Sequence, residues 1–377
     1  MAAAPNPHEQ PFLSLVGRSW NIQASIADAC IDFNDRSLAF LTSEGSILIA
    51  PMTDPDPVAK RTRLQSDTSR VTIAPRTIQE KPMTEVAAPS GTFLIVVPCL
   101  GGGFLAATTN GTLCRVKSDG VCEDFCAELF PDPTAIVTSK NGSRLAVLSG
   151  RDIVAIDAAG AVVARATLEQ EAFDIAFSPD GTRVAVCDVG GVTIFRISGS
   201  DLQEQQRLNL EGRYIAIAWS PTGRFIAIAM HDTGLHMWRL TDGRAYPMSG
   251  YPSTSTHFSW GPRDAYLATS GAYRLICWPL DDASIEDDDR KPLETGMKGM
   301  MIVTACAAQS KRELVAAGYG NGIVVVCQPG KPDELVLRGA EGEAVSVLKW
   351  ADDGLSLVIG TVDGFASLVT FPEFMFK

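Results

Sequence analysis

The chain has only four histidines, His8, His231, His236 and His257, and the last three fall on neighbouring segments. His231 lies in a turn, His236 in the strand after it, and His257 in the opening strand of the next repeat. Three imidazoles with an open fourth position could hold zinc as a Lewis acid or water activator. The competing reading makes His236 a strand residue alternating with Trp238, while His231 and His257 satisfy local hydrogen bonds. Cys122 and Cys126 are the other candidate pair. On one strand, four residues at about 3.4 Å each would set them roughly 13 Å apart, too far for a shared ion or a disulfide.

Other catalytic patterns are missing. The sequence contains no HExxH, no GxSxG and no GxxxxGK[ST], which leaves zinc-protease, hydrolase-elbow and P-loop chemistry without residues to build on. Gly318-Tyr-Gly-Asn-Gly322 reads as an Asn-Gly hairpin between strands, not as a phosphate cradle. No carboxylate pair recurs at equivalent positions, which argues against a glycosidase or lactonase. No cofactor is called for.

Composition narrows the partner classes. Against 32 Lys and Arg stand 44 Asp and Glu, a net charge of −12 that disfavours nucleic acid. No secretory leader precedes residue 10 and no apolar run is long enough to span a bilayer, so no membrane partner and a cytoplasmic location are expected. The nine cysteines mostly sit in apolar runs such as Arg183-Val-Ala-Val-Cys187 and read as reduced core residues.

The elements that must position any site come from a repeat. Phe173-Asp-Ile-Ala-Phe177, the turn Ser178-Pro-Asp-Gly181, Arg183-Val-Ala-Val-Cys187, the turn Gly190-Gly191 and Val192-Thr-Ile-Phe195 form one copy. Ile215–Trp219, Ser220-Pro-Thr-Gly223, Phe225–Ala229 and Leu235–Trp238 form the next. Each run has strand length and β-forming residues, and each turn has Gly or Pro chemistry. The middle runs centre on Ala39, Ala106, Ala146, Ala185, Ala227, Ala268, Val315 and Val358, with gaps of 67, 40, 39, 42, 41, 47 and 43. A period of about 40–45 residues with four strands per unit is the mark of a β-propeller. The expected fold is therefore all-β: a single propeller of eight four-stranded blades, or seven if the copies around Ala39 or Ala106 are misread.

One four-stranded sheet cannot bury both its faces, so blades stack in a ring that needs a latch. The run Leu13-Ser-Leu-Val16 precedes the first module, and the last module ends at Leu368-Val-Thr370 without a fourth strand. An N-terminal strand is thus predicted to complete the C-terminal blade. Residues 1–12 are expected to be a flexible segment, 13–372 the propeller domain and 373–377 a tail. Phe33, Phe177, Trp219, Trp260 and Trp350 recur at the end of the first strand, which is the signature of packing between blades.

These residues resemble the WD-repeat family. The Ser178-Pro-Asp-Gly181 and Ser220-Pro-Thr-Gly223 turns, the Leu-Ala and Ile-Ala pairs of the second strands, and Trp238 and Trp278 closing third strands carry the likeness over roughly residues 13–372. The stretch 219–280 is most similar to uncharacterised bacterial WD-repeat proteins. Trp238 is followed by Arg239 and Trp278 by Pro279, so the Trp-Asp pair that names the family is missing, as is its Gly-His pair. What the resemblance implies is a non-catalytic binding platform: a monomeric propeller within a complex, holding a protein or peptide. The alternative is a zinc-dependent binder or hydrolase built on the histidines.

In a propeller, the loop before the first strand and the turn between the second and third strands share one end. Modules five to seven place Arg213, Tyr214, His231, Asp232, Tyr251, Tyr273, Arg274, Met300, Met301, Tyr319 and Asn321 there. Tyr and Arg dominate binding hot spots and Met adapts to varied shapes, so these residues form the expected partner-binding patch. Two insertions break the spacing. Residues 53–92 carry Lys60, Arg61, Arg63, Arg70, Arg76 and Lys81, and residues 281–291 carry six carboxylates. Both are expected to be solvated charged loops; the alternative for the basic one is to fold back on acidic surface or meet an acidic partner.

Overall fold

The computed structural model describes residues 12–64, 71–99, 101–210, 212–231, 234–286 and 290–376. The described strands form six four-stranded sheets, one eight-stranded sheet and a small two-stranded one. The eight-stranded sheet is two four-strand meanders joined at their outer edges by the single parallel pair Arg165 and Asp201. Eight four-strand modules therefore follow one another, numbered one to eight here. They span 26–86, 93–124, 133–167, 172–209, 214–248, 258–295, 303–338 and 345–370, the last taking Gly17–Asn21 as its outer strand.

The repeat is built by burial. Every second-strand centre from Ala39 to Val358 is fully buried, because both faces of this strand meet a neighbouring sheet. Such strands read as unbroken apolar runs, as Ser37–Thr42 and Phe225–Met230 do. First strands of consecutive modules lie side by side from one through five and from six through eight, and that of module eight lies against that of module one. Seven of the eight first strands slip register at their second residue, as between Ala172 and Asp174 or Tyr214 and Ala216. Such a bulge turns one side chain out of the pleat.

The aromatic series does join modules. Trp219 Nε1 donates to the Ala176 carbonyl at 3.1 Å between modules four and five, and Trp350 Nε1 repeats the bond between modules seven and eight, to Ala307 at 3.1 Å. Trp260 stacks on Phe225 at 6.4 Å. On the far side from the leading loops, the Ser178 and Ser220 hydroxyls accept the Arg183 and Phe225 amides at 3.0 and 3.1 Å. Gly181 and Gly223 take φ of 68° and 75° there, a conformation only glycine adopts without strain.

The N-terminal run departs from its predicted form. Phe12–Val16 is a helical turn, since Leu13 and Val16 three residues apart share a face that packs into the core under module eight. The strand begins immediately after it: Gly17–Asn21 pairs antiparallel with Phe365–Val369.

The basic insertion is not a solvated loop. It forms the helix Val58–Arg61 and the ladder Thr62–Leu64 with Val71–Ile73, and it folds back over the N-terminal strand. Arg61 is buried, with its guanidinium donating to the carbonyls of Asp56 at 3.1 Å, Ala74 at 2.7 Å and Leu15 at 2.7 Å. Arg18 donates to Met52 O at 3.0 Å, and Arg76 grips Asp54 at 2.8 and 2.9 Å. These guanidiniums find their acceptors within the chain, while Arg63 and Lys60 stay exposed and Arg70 lies outside the described residues. The acidic insertion docks as well. Its helix Asp282–Glu286 sends Glu286 to Arg239 at 2.5 Å and Arg244 at 3.2 Å on module five; residues 287–289 lie outside the described residues.

Candidate functional site

Backbone bonds define one face. The residue opening the second turn of a module donates its N–H to a carbonyl in the loop leading into the same module. Ser43 pairs with Ser25 at 2.8 Å, Thr109 with Thr92 at 2.8 Å and His231 with Arg213 at 2.8 Å. Gly320 pairs with Ile302 at 3.0 Å and Val362 with Ala344 at 2.9 Å. Leading loops and second turns therefore sit together, as the sequence implies, on what is called here the loop face.

The face holds the predicted patch only in part. Tyr214, Tyr251 and Tyr319 are buried, at 5%, 7% and 2% exposure, and cannot offer their rings to a partner. Each hydroxyl finds an internal mate. Tyr214 donates to the Leu210 carbonyl. The Tyr251 hydroxyl lies 2.7 Å from Thr269 Oγ1 and accepts Trp278 Nε1 at 2.7 Å. Tyr319 accepts the Met297 amide at 2.9 Å. Burial pushes all three phenols up to about 12. These tyrosines tie loops to strands.

Of the remaining patch residues, Tyr273 is 38% exposed and Met300 80%, with Met301 beside it, and Arg213 and His231 are exposed. The turn bearing Tyr273 is bonded to the start of module seven, Val303 N to Ala272 O at 2.8 Å, which brings Tyr273 and the two methionines onto neighbouring segments. Arg274 is engaged by Glu294 at 3.3 Å and the Gly296 carbonyl at 3.2 Å. Asn321 is half-buried and accepts its own turn's Ile323 amide at 3.5 Å. Asp232 lies outside the described residues.

The zinc reading does not survive the geometry. Among the described residues, no three His, Cys, Asp or Glu side chains are placed to hold a metal ion, His231, His236 and His257 included. His257 lies just before the strand Phe258–Trp260, where burial lowers its pKa while the Thr304 and Ser346 carbonyls oppose the fall. His236 is also lowered by burial, and His231 points from an exposed turn. On the first strand of module eight Lys349 donates to the Ala29 carbonyl at 2.7 Å and lies 4.0 Å from Asp28. None of the nine cysteines, Cys122 and Cys126 included, forms a disulfide, and burial pushes Cys30, Cys187, Cys306 and Cys327 up to about 12.

The loop face also carries residues that the sequence reading missed. Fourteen large apolar side chains are exposed among the described residues, and eight stand on this face: Leu94, Leu129, Phe173, Val189, Tyr273, Met300, Met301 and Val362. Two depressions lie over modules two to four, and Leu129 and Phe173 line the larger of them. One, of about 460 Å³, is lined by Leu129, Pro131, Asp132, Asp152, Glu171 and Phe173 among others. The other, of about 340 Å³, includes Glu169, Asp188, Glu204 and Arg207, and the loop 168–172 separates the two. The missed signal was the bulge. Phe173 and Leu94 occupy the second residue of their first strands, where the register slip turns the side chain outward. Reading Phe173 as an ordinary strand residue hid this.

Four-stranded modules that follow one another with first strands side by side, and with leading loops and second turns gathered at one end, define a β-propeller fold. The crystal structure of the C-terminal WD40 domain of Sif2 superposes with a TM-score of 0.66 at 14% sequence identity, covering 95% of this chain and 99% of that one. At that identity the likeness speaks for the fold. No family model matches the chain. No curated protein matches it either. Among the described residues, no helix is long and apolar enough to cross a membrane.

Proposed function

We propose that this chain is a non-catalytic protein- or peptide-binding scaffold: an eight-bladed propeller, closed by its N-terminal strand, that docks its partner on the loop face. The observation that carries this reading is the placement of eight of the fourteen exposed large apolar side chains on that one face. Exposed apolar surface is costly unless a partner covers it, and clustered patches mark interaction sites. Leu129, Phe173, Tyr273 and Met300 are its anchors, with Arg213 and His231 at its rim. The strand pairing of Gly17–Asn21 supports closure, since removing it would open two sheet edges.

Site-specific photo-crosslinking tests the face. A photoreactive residue at Leu129 or Met300 is expected to capture a discrete partner in native lysate, while Val121 and Phe374, exposed away from this face, capture none. Crosslinks confined to Val121 or Phe374 would overturn the assignment.

A further inference from the structure

We propose that the groove over modules two to four binds a basic, extended segment of another protein, anchored by an apolar side chain beside Phe173; this rests on the binding-scaffold reading above. The larger depression is apolar where it is deepest, with Phe130, Val154 and Ala172 in its wall and Leu129 and Phe173 standing exposed at 65% and 36%. Its polar rim is of one sign. Across the two depressions, seven carboxylates (Glu128, Asp132, Asp152, Glu169, Glu171, Asp188 and Glu204) face two guanidiniums, Arg165 and Arg207.

Both guanidiniums are already engaged. Arg165 meets Glu128 through two bonds, the nearer pair of atoms at 2.5 Å, and Arg207 holds Asp188 at 3.0 and 3.2 Å with Thr193 at 2.6 Å. Asp132, Glu169, Glu171 and Glu204 remain facing solvent, with no cation at ion-pair distance among the described residues. An acidic or neutral segment would leave these carboxylates uncompensated or repelled as water is displaced. A segment with Lys or Arg on either side of an apolar residue pairs them while its anchor fills the space against Phe173 and Leu129. The loop 168–172 between the depressions sets the spacing: apolar anchor on one side, cation on the other.

The test uses the full chain and a fluorescein-labelled dodecapeptide of alternating Lys and Leu, with alternating Glu and Leu as its counterpart, read by anisotropy. The basic peptide is expected to bind and the acidic one not. Phe173→Ser with Leu129→Ser, and separately Glu169→Lys with Glu171→Lys, should each weaken binding at least about tenfold. Glu334→Lys, an exposed reversal on the outer strand of module seven, should change it less than twofold. All five positions are exposed, so circular dichroism should show folded variants. Equal loss in Glu334→Lys would mean attraction to the overall negative charge and would overturn the groove, as would equal binding of the acidic peptide. A concentration-dependent dimer dissolved by Phe173→Ser would overturn it in favour of a second copy. Partner crosslinks at Leu129 or Met300 with no basic-peptide binding would overturn this inference and leave the scaffold reading standing.

Discussion

Modules five to seven and modules two to four present their loops on the same face but use their aromatic residues in opposite ways. In the former, Tyr214, Tyr251 and Tyr319 are drawn inward and their hydroxyls satisfied by Leu210, by Thr269 with Trp278, and by Met297. In the latter, Phe173 has no polar tip to satisfy and sits on a bulge that turns it out. Residue type alone does not decide whether a loop aromatic serves the fold or a partner. A tyrosine beside a backbone or side-chain donor or acceptor in need of a partner is pulled into the structure, because a buried polar group left unpaired costs about 1–3 kcal/mol.

The contrast is broken most severely by Tyr251→Ala. It removes a buried ring and orphans the Trp278 N–H, so about 3–5 kcal/mol of stability should be lost in chemical denaturation. An unchanged midpoint would mean that Tyr251 is not a fold residue. Removing residues 1–21 should destabilise the fold to a similar degree, seen as a lower melting temperature, since it strips the outer strand from module eight; an unchanged melt would contradict the latch. Arg61→Met should cost about 2–4 kcal/mol by leaving three carbonyls unanswered.

Tyr319→Phe isolates the hydroxyl. It should cost about 1–2 kcal/mol through the Met297 amide and leave partner crosslinking at Met300 intact. Phe173→Ser is its mirror image, with stability within about 0.5 kcal/mol of wild type and crosslinking at Leu129 lost.

The smallest effect sits at the seam between modules four and five. Burial pushes the Asp174 carboxyl up to about 6, against the opposing pull of the Ile217 and Ile175 amides at 2.8 and 2.9 Å. A carboxyl raised in the folded state favours folding below its unfolded pKa, and that contribution is lost as pH rises through about 6. Stability should therefore rise by about 1 kcal/mol from pH 7 to pH 5 on account of this group. Asp174→Asn should flatten that part of the profile, and an identical slope in the variant would reject the assignment.

The period of the repeat was legible because burial imposes it: a small or branched centre every 40 or so residues has to be there for sheets to stack. The inter-module tryptophans were legible for the same reason. What could not be read was anything set by a side chain's direction. Leu13-Ser-Leu-Val16 has strand-like residues, yet its two buried positions sit three apart and make a turn of helix. The basic insertion looked solvated because nothing in Arg61 or Arg76 announces carbonyls and carboxylates brought from elsewhere in the chain. The loop face could be located from the strand order, but which aromatics project from it depends on a bulge that only an alignment of the repeats would expose.

Arg61 has a further consequence in time. The strand Gly17–Asn21 is made early, and its partner Phe365–Thr370 emerges some 340 residues later. At about 5–20 residues per second that is an interval of tens of seconds, during which an unpaired edge invites misassembly. The insertion of module one is synthesised within that interval, soon after the strand, and its Arg61 reaches the Leu15 carbonyl just ahead of it. The residues of that clasp, Leu15, Asp56, Arg61 and Ala74, are thus all made long before the strand that pairs with Gly17–Asn21.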